Sequence, residues 1–122
     1  MILVDTSIWI DHFRAGDPLL AELLSDSRVL VHPFVVGELA CGNLKNRASI
    51  LSLLRQMPAA PVASDDEMLF FIERHGLMGR GIGYVDAHLL AAASLAGSVR
   101  LWSRDIRLKA AAESLSLAFR AE

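Results

Sequence analysis

The sequence is poor in cysteine and has no long hydrophobic run. Its one cysteine, Cys41, cannot form an internal disulfide and fits a reducing cytoplasm. The apolar runs extend over only a few residues, whereas a membrane helix needs about 20. No basic leader precedes the first apolar stretch, which Asp5 and Asp11 interrupt, so no signal peptide is expected. These absences predict a cytoplasmic protein that has no membrane partner.

The sequence also lacks a strong excess of charge of either sign. Twelve Lys and Arg residues stand against 14 Asp and Glu residues, a net charge of −2. Setting aside four acids that are candidate metal ligands leaves 10 acids against the 12 bases, a balance of +2. Neither value is the strongly basic balance typical of tight phosphate binding. Charge alone therefore neither supports nor excludes a nucleic-acid partner.

What the sequence does contain is enough apolar material for one domain. A chain of 122 residues that is 53% hydrophobic, with a mean hydropathy of +0.40, is long enough for one core and excludes disorder. Short apolar segments alternate with longer amphipathic ones. Because this alternation is typical of βαβ units, we predict a single α/β domain over residues 1–122.

The individual segments predict a central parallel sheet of four to five short strands flanked by helices. Three strands are predicted at residues 2–4, 28–32 and 99–102, and residues 59–63 and 117–120 are candidates for two more. Proline, glycine and capping residues mark the helix ends. The predicted helices cover residues 8–13, a segment beginning at 17–18, a segment beginning at 33, and residues 46–57, 68–75, 86–96 and 106–115.

Four acidic residues stand where apolar segments end: Asp5, Glu38, Asp86 and Asp105. In parallel sheets ligands bind beyond the carboxyl ends of the strands, where Asp5 and Asp105 are predicted to lie. Glu38 and Asp86 fall near helix starts that can face the same crevice. Converging carboxylates repel one another unless a cation is bound. The pattern therefore predicts a site for a hard divalent metal ion.

Each of these acids also has an ordinary structural explanation. Asp105 precedes a helix and is a candidate N-cap, and Asp86 suits the first turn of a helix, where a negative charge is favourable. Glu38 fits a solvated position on a helix. Asp5 is the hardest to explain in this way, because the residues that follow it can cap the next helix without it. A metal site thus rests on all four acids together.

Four segments in order along nearly the whole chain resemble the PIN-domain ribonucleases, and most nearly the VapC toxins of bacterial toxin–antitoxin pairs. They are M-I-L-V-D-T-S-I-W-I-D-H, P-F-V-V-G-E-L, G-I-G-Y-V-D-A-H-L-L-A-A-A and L-W-S-R-D-I-R-L. The resemblance implies a PIN-like α/β fold and endonucleolytic cleavage of RNA that depends on Mg²⁺, with Mn²⁺ as an alternative. It also implies a homodimer and a cognate antitoxin as partners.

The resemblance assigns roles to particular side chains. The four family acids correspond to Asp5, Glu38, Asp86 and Asp105, of which Asp5 and Asp86 are the leading direct metal ligands. Three polar side chains support them: Ser103, which stands where the family often has threonine, and the pair Thr6 and Ser7. Three arginines flank the predicted groove and are candidates for RNA-phosphate contacts: Arg80, Arg104 and Arg107.

Two other functions remain open on the sequence alone. The first is a catalytically silent PIN-like module whose groove only binds a partner. The second is a metal-dependent phosphatase or phosphotransfer domain with Asp5 as its nucleophile. Haloacid-dehalogenase phosphatases have a second aspartate two residues further on, where this chain has Ser7. Among the remaining charges, Asp11 is expected to be solvated or paired with Arg14, and the four histidines are expected to be structural or on the surface.

Overall fold

The computed structural model describes residues 1–120 and has the alternation of strands and helices that the sequence predicts. Helices make up most of this part of the chain. The strands are β1 (Ile2–Val4), β2 (Val29–Leu30) and β3 (Arg100–Trp102), and the helices are α1 (Thr6–Ala15), α2 (Pro18–Ser25), α3 (Pro33–Cys41), α4 (Arg47–Gln56), α5 (Asp65–His75), α6 (Tyr84–Ala96) and α7 (Ile106–Ser114).

The three strands form one parallel sheet in the order β2-β1-β3. The central strand is buried on both faces: Leu3 and Val4 have no exposed surface. In the register, Leu3 pairs with Leu30 on one side and with Leu101 on the other. The carboxyl ends of β1 and β3 therefore lie side by side, and the residues that follow them, Asp5 and Ser103, meet at one edge of the sheet.

The predicted α/β class and parallel sheet are confirmed, but the sheet has three strands among residues 1–120 where four to five were expected. The two extra candidates contribute single bridges, Val31 with Ala59 and Leu101 with Ala118. Pro58 and Pro61 flank the first bridge, and a proline has no N–H to extend a ladder. In the second candidate, Leu117 accepts the Leu101 N–H and Phe119 donates its N–H to Leu101, but the Leu117 N–H donates back to Ala112 at the end of α7.

Helix α6 runs through the interior and brings its first turn to the edge of the sheet. All seven residues from position 87 to 93 are buried, and four of them are alanines, which allow close packing. The helix begins at Tyr84, two residues earlier than predicted, so Asp86 lies within its first turn. Helix α3 packs on α1, and α5 packs on α6. Within residues 1–120, no helix has the length and apolarity to cross a membrane.

Candidate metal centre

Asp5 lies immediately after the central strand and is nearly fully buried, with 6% of its surface exposed. One carboxylate oxygen, Oδ1, accepts the backbone N–H of Thr6 at 2.7 Å, so Asp5 caps helix α1. The other oxygen, Oδ2, accepts the hydroxyl of Ser103 at 2.7 Å and that of Ser7 at 3.1 Å. These three donors compensate the burial of the carboxylate, which would otherwise cost far more than the burial of a neutral polar group.

Glu38 lies on helix α3 and is joined to the same corner through one hydrogen bond. The Thr6 hydroxyl donates to Glu38 Oε1 at 2.6 Å, which connects the first turn of α1 to α3. The Glu38 side chain is exposed, and its second oxygen accepts no hydrogen bond from residues 1–120. Glu38 is therefore oriented through one oxygen and offers the other to solvent or to a ligand.

Asp86 is half-buried in the first turn of α6, where its Oδ2 accepts the backbone N–H of Gly83 at 3.3 Å. Burial raises the pKa of the Asp86 carboxyl above its ordinary value, and the hydrogen bond from Gly83 opposes this shift. The negative charges of three other side chains raise the pKa further, and these are Asp5, Asp105 and Glu38. The other three predicted acids thus lie close enough for their charges to act on Asp86.

Asp105 caps the last helix, as its position before the helix predicts. Its Oδ1 accepts the backbone N–H groups of Arg107 at 3.0 Å and Leu108 at 2.9 Å. The Asp105 side chain is exposed, and the capping bonds use one of its two oxygens. Asp105 can therefore cap helix α7 through Oδ1 and still offer Oδ2 to a metal ion.

The chemistry of the donor set fits a hard divalent cation. The converging side chains offer carboxylate oxygens, which suit Mg²⁺ and Mn²⁺, and no histidine or cysteine belongs to the group. Within residues 1–120, no three His, Cys, Asp or Glu side chains lie close enough together to form a ready metal cage. Mg²⁺ usually retains several of its waters, so it is bound by sites in which some carboxylates act through water.

The family model described as "PIN domain" matches residues 2–114, a span that contains all four acids. Over all 122 residues the chain is 49% identical to Ribonuclease VapC32, found in two strains of Mycobacterium tuberculosis, and the match covers 98% of that protein. The chain belongs to the VapC group of the PIN-domain family.

A solved structure supports the fold of this PIN-domain protein independently. The crystal structure of PAE2754 from Pyrobaculum aerophilum superimposes with a TM-score of 0.59 over 93% of this chain and 85% of that one. Only 17% of the aligned residues are identical, so the likeness concerns the fold alone. The predicted PIN-like architecture is thereby confirmed.

Two of the three arginines predicted to contact RNA connect helix α7 with the glycine-rich loop, which comprises residues 76–83. Arg107 packs directly across Gly81, where a Cβ atom would be 2.6 Å from its side chain. Gly81 also has a φ of +77°, which favours glycine. Arg80 donates to the Ser114 hydroxyl at 3.2 Å. The absence of a side chain at Gly81 therefore lets the Arg107 side chain of this PIN domain pack against the backbone of the loop.

The third arginine has a different environment. The Arg104 guanidinium forms ion pairs with Asp11 and Asp17. Asp11 was expected to be solvated or paired with Arg14. Its side chain is 46% exposed, in keeping with the first alternative, but its ion-pair partner is Arg104, from a loop 93 residues away in sequence. Spacing along one helix favours Arg14, and no local signal in the sequence could have indicated Arg104.

Two histidines of this PIN domain are core residues beside the centre. His32 is fully buried and caps α3, since its Nδ1 accepts the Phe34 N–H at 3.0 Å. Burial lowers the pKa of His32 to about 4, with a smaller contribution from His88. His88 is also buried, with its ring between those of Phe34 and Tyr84. Pro33 at the first position of α3 was the available signal that His32 precedes a helix.

Proposed function

We propose that this protein is a Mg²⁺- or Mn²⁺-dependent endoribonuclease and the toxin of a toxin–antitoxin system. Full-length similarity to a protein named a ribonuclease, at 49% identity, supports an RNA-cleaving hydrolase. The observation that carries the proposal is the grouping of carboxylates at the carboxyl edge of the sheet, where Ser103 hydrogen-bonds to both Asp5 and the Asp105 backbone and Thr6 joins Glu38 to the same corner. The charges of these three acids also act on Asp86. Such a cluster is unfavourable in isolation and is stabilised by a divalent cation.

The residues that would hold the cation are Asp5 and Asp86 directly, with Glu38 and Asp105 bound directly or through water. A bound cation supplies positive charge that offsets charge developing on the phosphate, and it makes a coordinated water more acidic. Glu38 has an unengaged, exposed oxygen, so we assign it to orient the attacking water and to accept its proton. In-line attack on the phosphodiester would leave a 5′-phosphate and a 3′-hydroxyl.

The supporting polar residues divide into two kinds. Ser7 and Ser103 donate to Asp5, which keeps its carboxylate in one orientation. Thr6 does the same for Glu38. Their proposed role is to fix the acids before substrate arrives, which lowers the reorganisation needed for the reaction.

RNA is proposed to run past the glycine-rich loop, where Arg80 and Arg107 would contact its phosphates. Phosphate contacts of this kind orient the strand without reading its sequence. Both arginines also contact other parts of the chain, which keeps their side chains beside the groove. Arg104, the remaining candidate, is already paired with two carboxylates.

The proposed partners are a cognate antitoxin and a second copy of the chain. Large apolar side chains on α5 and α6 are exposed to solvent, in keeping with a protein interface: Leu69, Phe70 and Leu95. We further propose that residues 1–122 form a single PIN domain and that the protein acts in the cytoplasm of a bacterium.

The test is incubation of the purified protein with total RNA in Mg²⁺ or in EDTA. Cleavage in Mg²⁺, none in EDTA, and none by Asp5→Asn is the expected result. Asp26→Asn, an equal change at an exposed aspartate outside the centre, serves as the control and should cleave like the wild type. Intact RNA in every sample, together with binding of an antitoxin-like peptide, would favour a silent partner-binding module. Release of phosphate from a phosphomonoester would favour the phosphatase.

A further inference from the structure

Arg104 lies at the centre of the loop between β3 and α7 and is engaged by two acids at once. Its Nη2 donates to Asp17 Oδ2 at 2.5 Å, and its Nη1 donates to Asp11 Oδ2. The hydrogen bond to Asp17, and to a smaller extent the one to Asp11, raises the pKa of the Arg104 guanidinium above its ordinary value. A guanidinium that bridges two carboxylates is far better fixed than an isolated surface pair.

The two acids belong to different elements, so the arginine connects three parts of the chain. Asp11 lies on α1, and Asp17 caps α2 by accepting the Leu20 N–H through its other oxygen at 3.0 Å. The Asp17 side chain is largely shielded from solvent, with 12% of its surface exposed. The guanidinium carbon also lies 6.0 Å from the centre of the Trp102 ring. Arg104 therefore ties its loop to α1 and to the start of α2.

The backbone of the same loop is connected to Asp5 through two serine hydroxyls. The Arg104 N–H donates to Ser7 Oγ at 3.3 Å, and the Asp105 N–H donates to Ser103 Oγ at 3.0 Å. Each serine in turn donates to Asp5 Oδ2. The position of the loop thus determines where Asp105 stands and also which way the Asp5 carboxylate is turned.

We propose that Arg104 is a positioning residue: by clasping Asp11 and Asp17, it sets the β3–α7 loop so that Asp5 and Asp105 present their carboxylates to one cation. The inference rests on the proposed function and assigns Arg104 a role other than direct contact with RNA. A phosphate would have to approach a guanidinium whose charge two carboxylates already balance and surround with negative charge. Arg80 and Arg107 face no such competition from acids within residues 1–120.

A simple charge effect and a positioning role of Arg104 predict opposite changes in Mn²⁺ affinity when Arg104 is replaced. Removing a positive charge beside an acidic site should by itself tighten the binding of a cation. If Arg104 positions the ligands, Arg104→Gln should instead weaken Mn²⁺ binding, on the order of 10-fold, as losses of supporting residues around metal sites do. Arg104→Lys keeps the charge but has no planar fork, so it should restore little of the affinity.

The experiment measures Mn²⁺ affinity by electron paramagnetic resonance, without RNA, for the wild type, Arg104→Gln and Arg104→Lys. Arg74→Gln, an equal change at an exposed arginine of α5, is the control and should bind Mn²⁺ like the wild type. Hydrogen exchange at the amides of residues 104 and 105 is measured in the same proteins. Faster exchange in both Arg104 variants, together with weaker Mn²⁺ binding, is the expected result. A circular dichroism melt establishes that each variant is folded.

Three results would overturn the inference. The first is an Arg104→Gln protein that binds Mn²⁺ as tightly as the wild type, or more tightly. The second is full restoration by Arg104→Lys, which would show that the planar fork bridging Asp11 and Asp17 is not needed. The third is unchanged Mn²⁺ affinity with a loss of RNA affinity, which would make Arg104 a phosphate contact. A wild type that binds no Mn²⁺ and leaves RNA intact would instead refute the proposed function. Amide exchange would still test whether the ion pairs of Arg104 with Asp11 and Asp17 hold the loop in place.

Discussion

The two sides of the acidic centre are built on different principles. On the β1 side, Asp5 is buried and both its oxygens accept hydrogen bonds from neighbouring groups. On the helical side, Glu38 and Asp86 each accept one hydrogen bond and are more exposed. The Asp5 carboxylate is held in place by three hydrogen bonds. Glu38 and Asp86 each keep one oxygen that accepts no hydrogen bond from residues 1–120, and Asp86 experiences the negative charges of the other three acids. A site divided in this way has a rigid reference point and adaptable ligands, which suits a cation that retains waters.

The largest expected effect is the loss of cleavage when either side is neutralised. Asp5→Asn and Asp86→Asn should each reduce RNA cleavage roughly 100-fold or more, because each removes a charged ligand from the proposed cation. Initial rates on a defined RNA in excess Mg²⁺ measure this. Should one variant retain wild-type activity, its side of the centre would not take part in the reaction.

Substitutions on the two sides should have different effects on the free energy of unfolding. Asp5→Ala leaves the Ser7 and Ser103 hydroxyls and the Thr6 N–H without their acceptor, so it should lower the free energy of unfolding by about 2–4 kcal/mol. Asp86→Ala removes one hydrogen bond and a repelled charge and should lower it far less. Urea denaturation followed by circular dichroism checks this, and equal losses would contradict the contrast.

The supporting hydroxyls should show the same contrast on a smaller scale. Ser103→Ala removes a buried hydrogen bond to a carboxylate and should cost about 1–3 kcal/mol. Thr6→Val removes a bond to an exposed carboxylate and should cost less than about 1 kcal/mol. Thermal melts of the two variants provide the comparison. A larger loss for Thr6→Val would mean that the helical side is the rigid one.

The smallest expected effect is the contribution of Asp86 to the pH dependence of stability. Its folded-state pKa is raised, so its protonated form favours folding below the ordinary pKa, and this contribution is lost as the pH rises through the folded value. Asp86→Asn should therefore melt slightly above the wild type at neutral pH, with the difference shrinking as the pH falls. Melts at several pH values without metal measure it. A wild type that is the more stable protein at neutral pH would contradict this sign.

Several local features of the fold could be predicted because they depend on residues close in sequence. Ser64 and Glu67, a pair whose types and spacing are typical of a capping box, form one at the start of α5, and Asp17 and Asp105 cap the helices that follow them. The number of strands could not be predicted in this way. Apolar content alone does not tell whether a segment such as 59–63 finds a full partner strand or a single bridge.

The sequence alone determined which acids are available, that Asp5, Asp86 and Asp105 stand at strand ends or helix starts, and which family they resemble. Glu38 was expected near a helix start and lies instead in the second turn of α3. The approach of the other three charges to Asp86, and the hydrogen bonds that fix the acids, were decided by tertiary structure. Ser103 and Asp5 are 98 residues apart, and Arg104 and Asp17 are 87 apart. Local preferences act over three or four residues, so they cannot select such partners. Parallel pairing of β1 with β3 brings these residues together, because it places the ends of both strands at one edge.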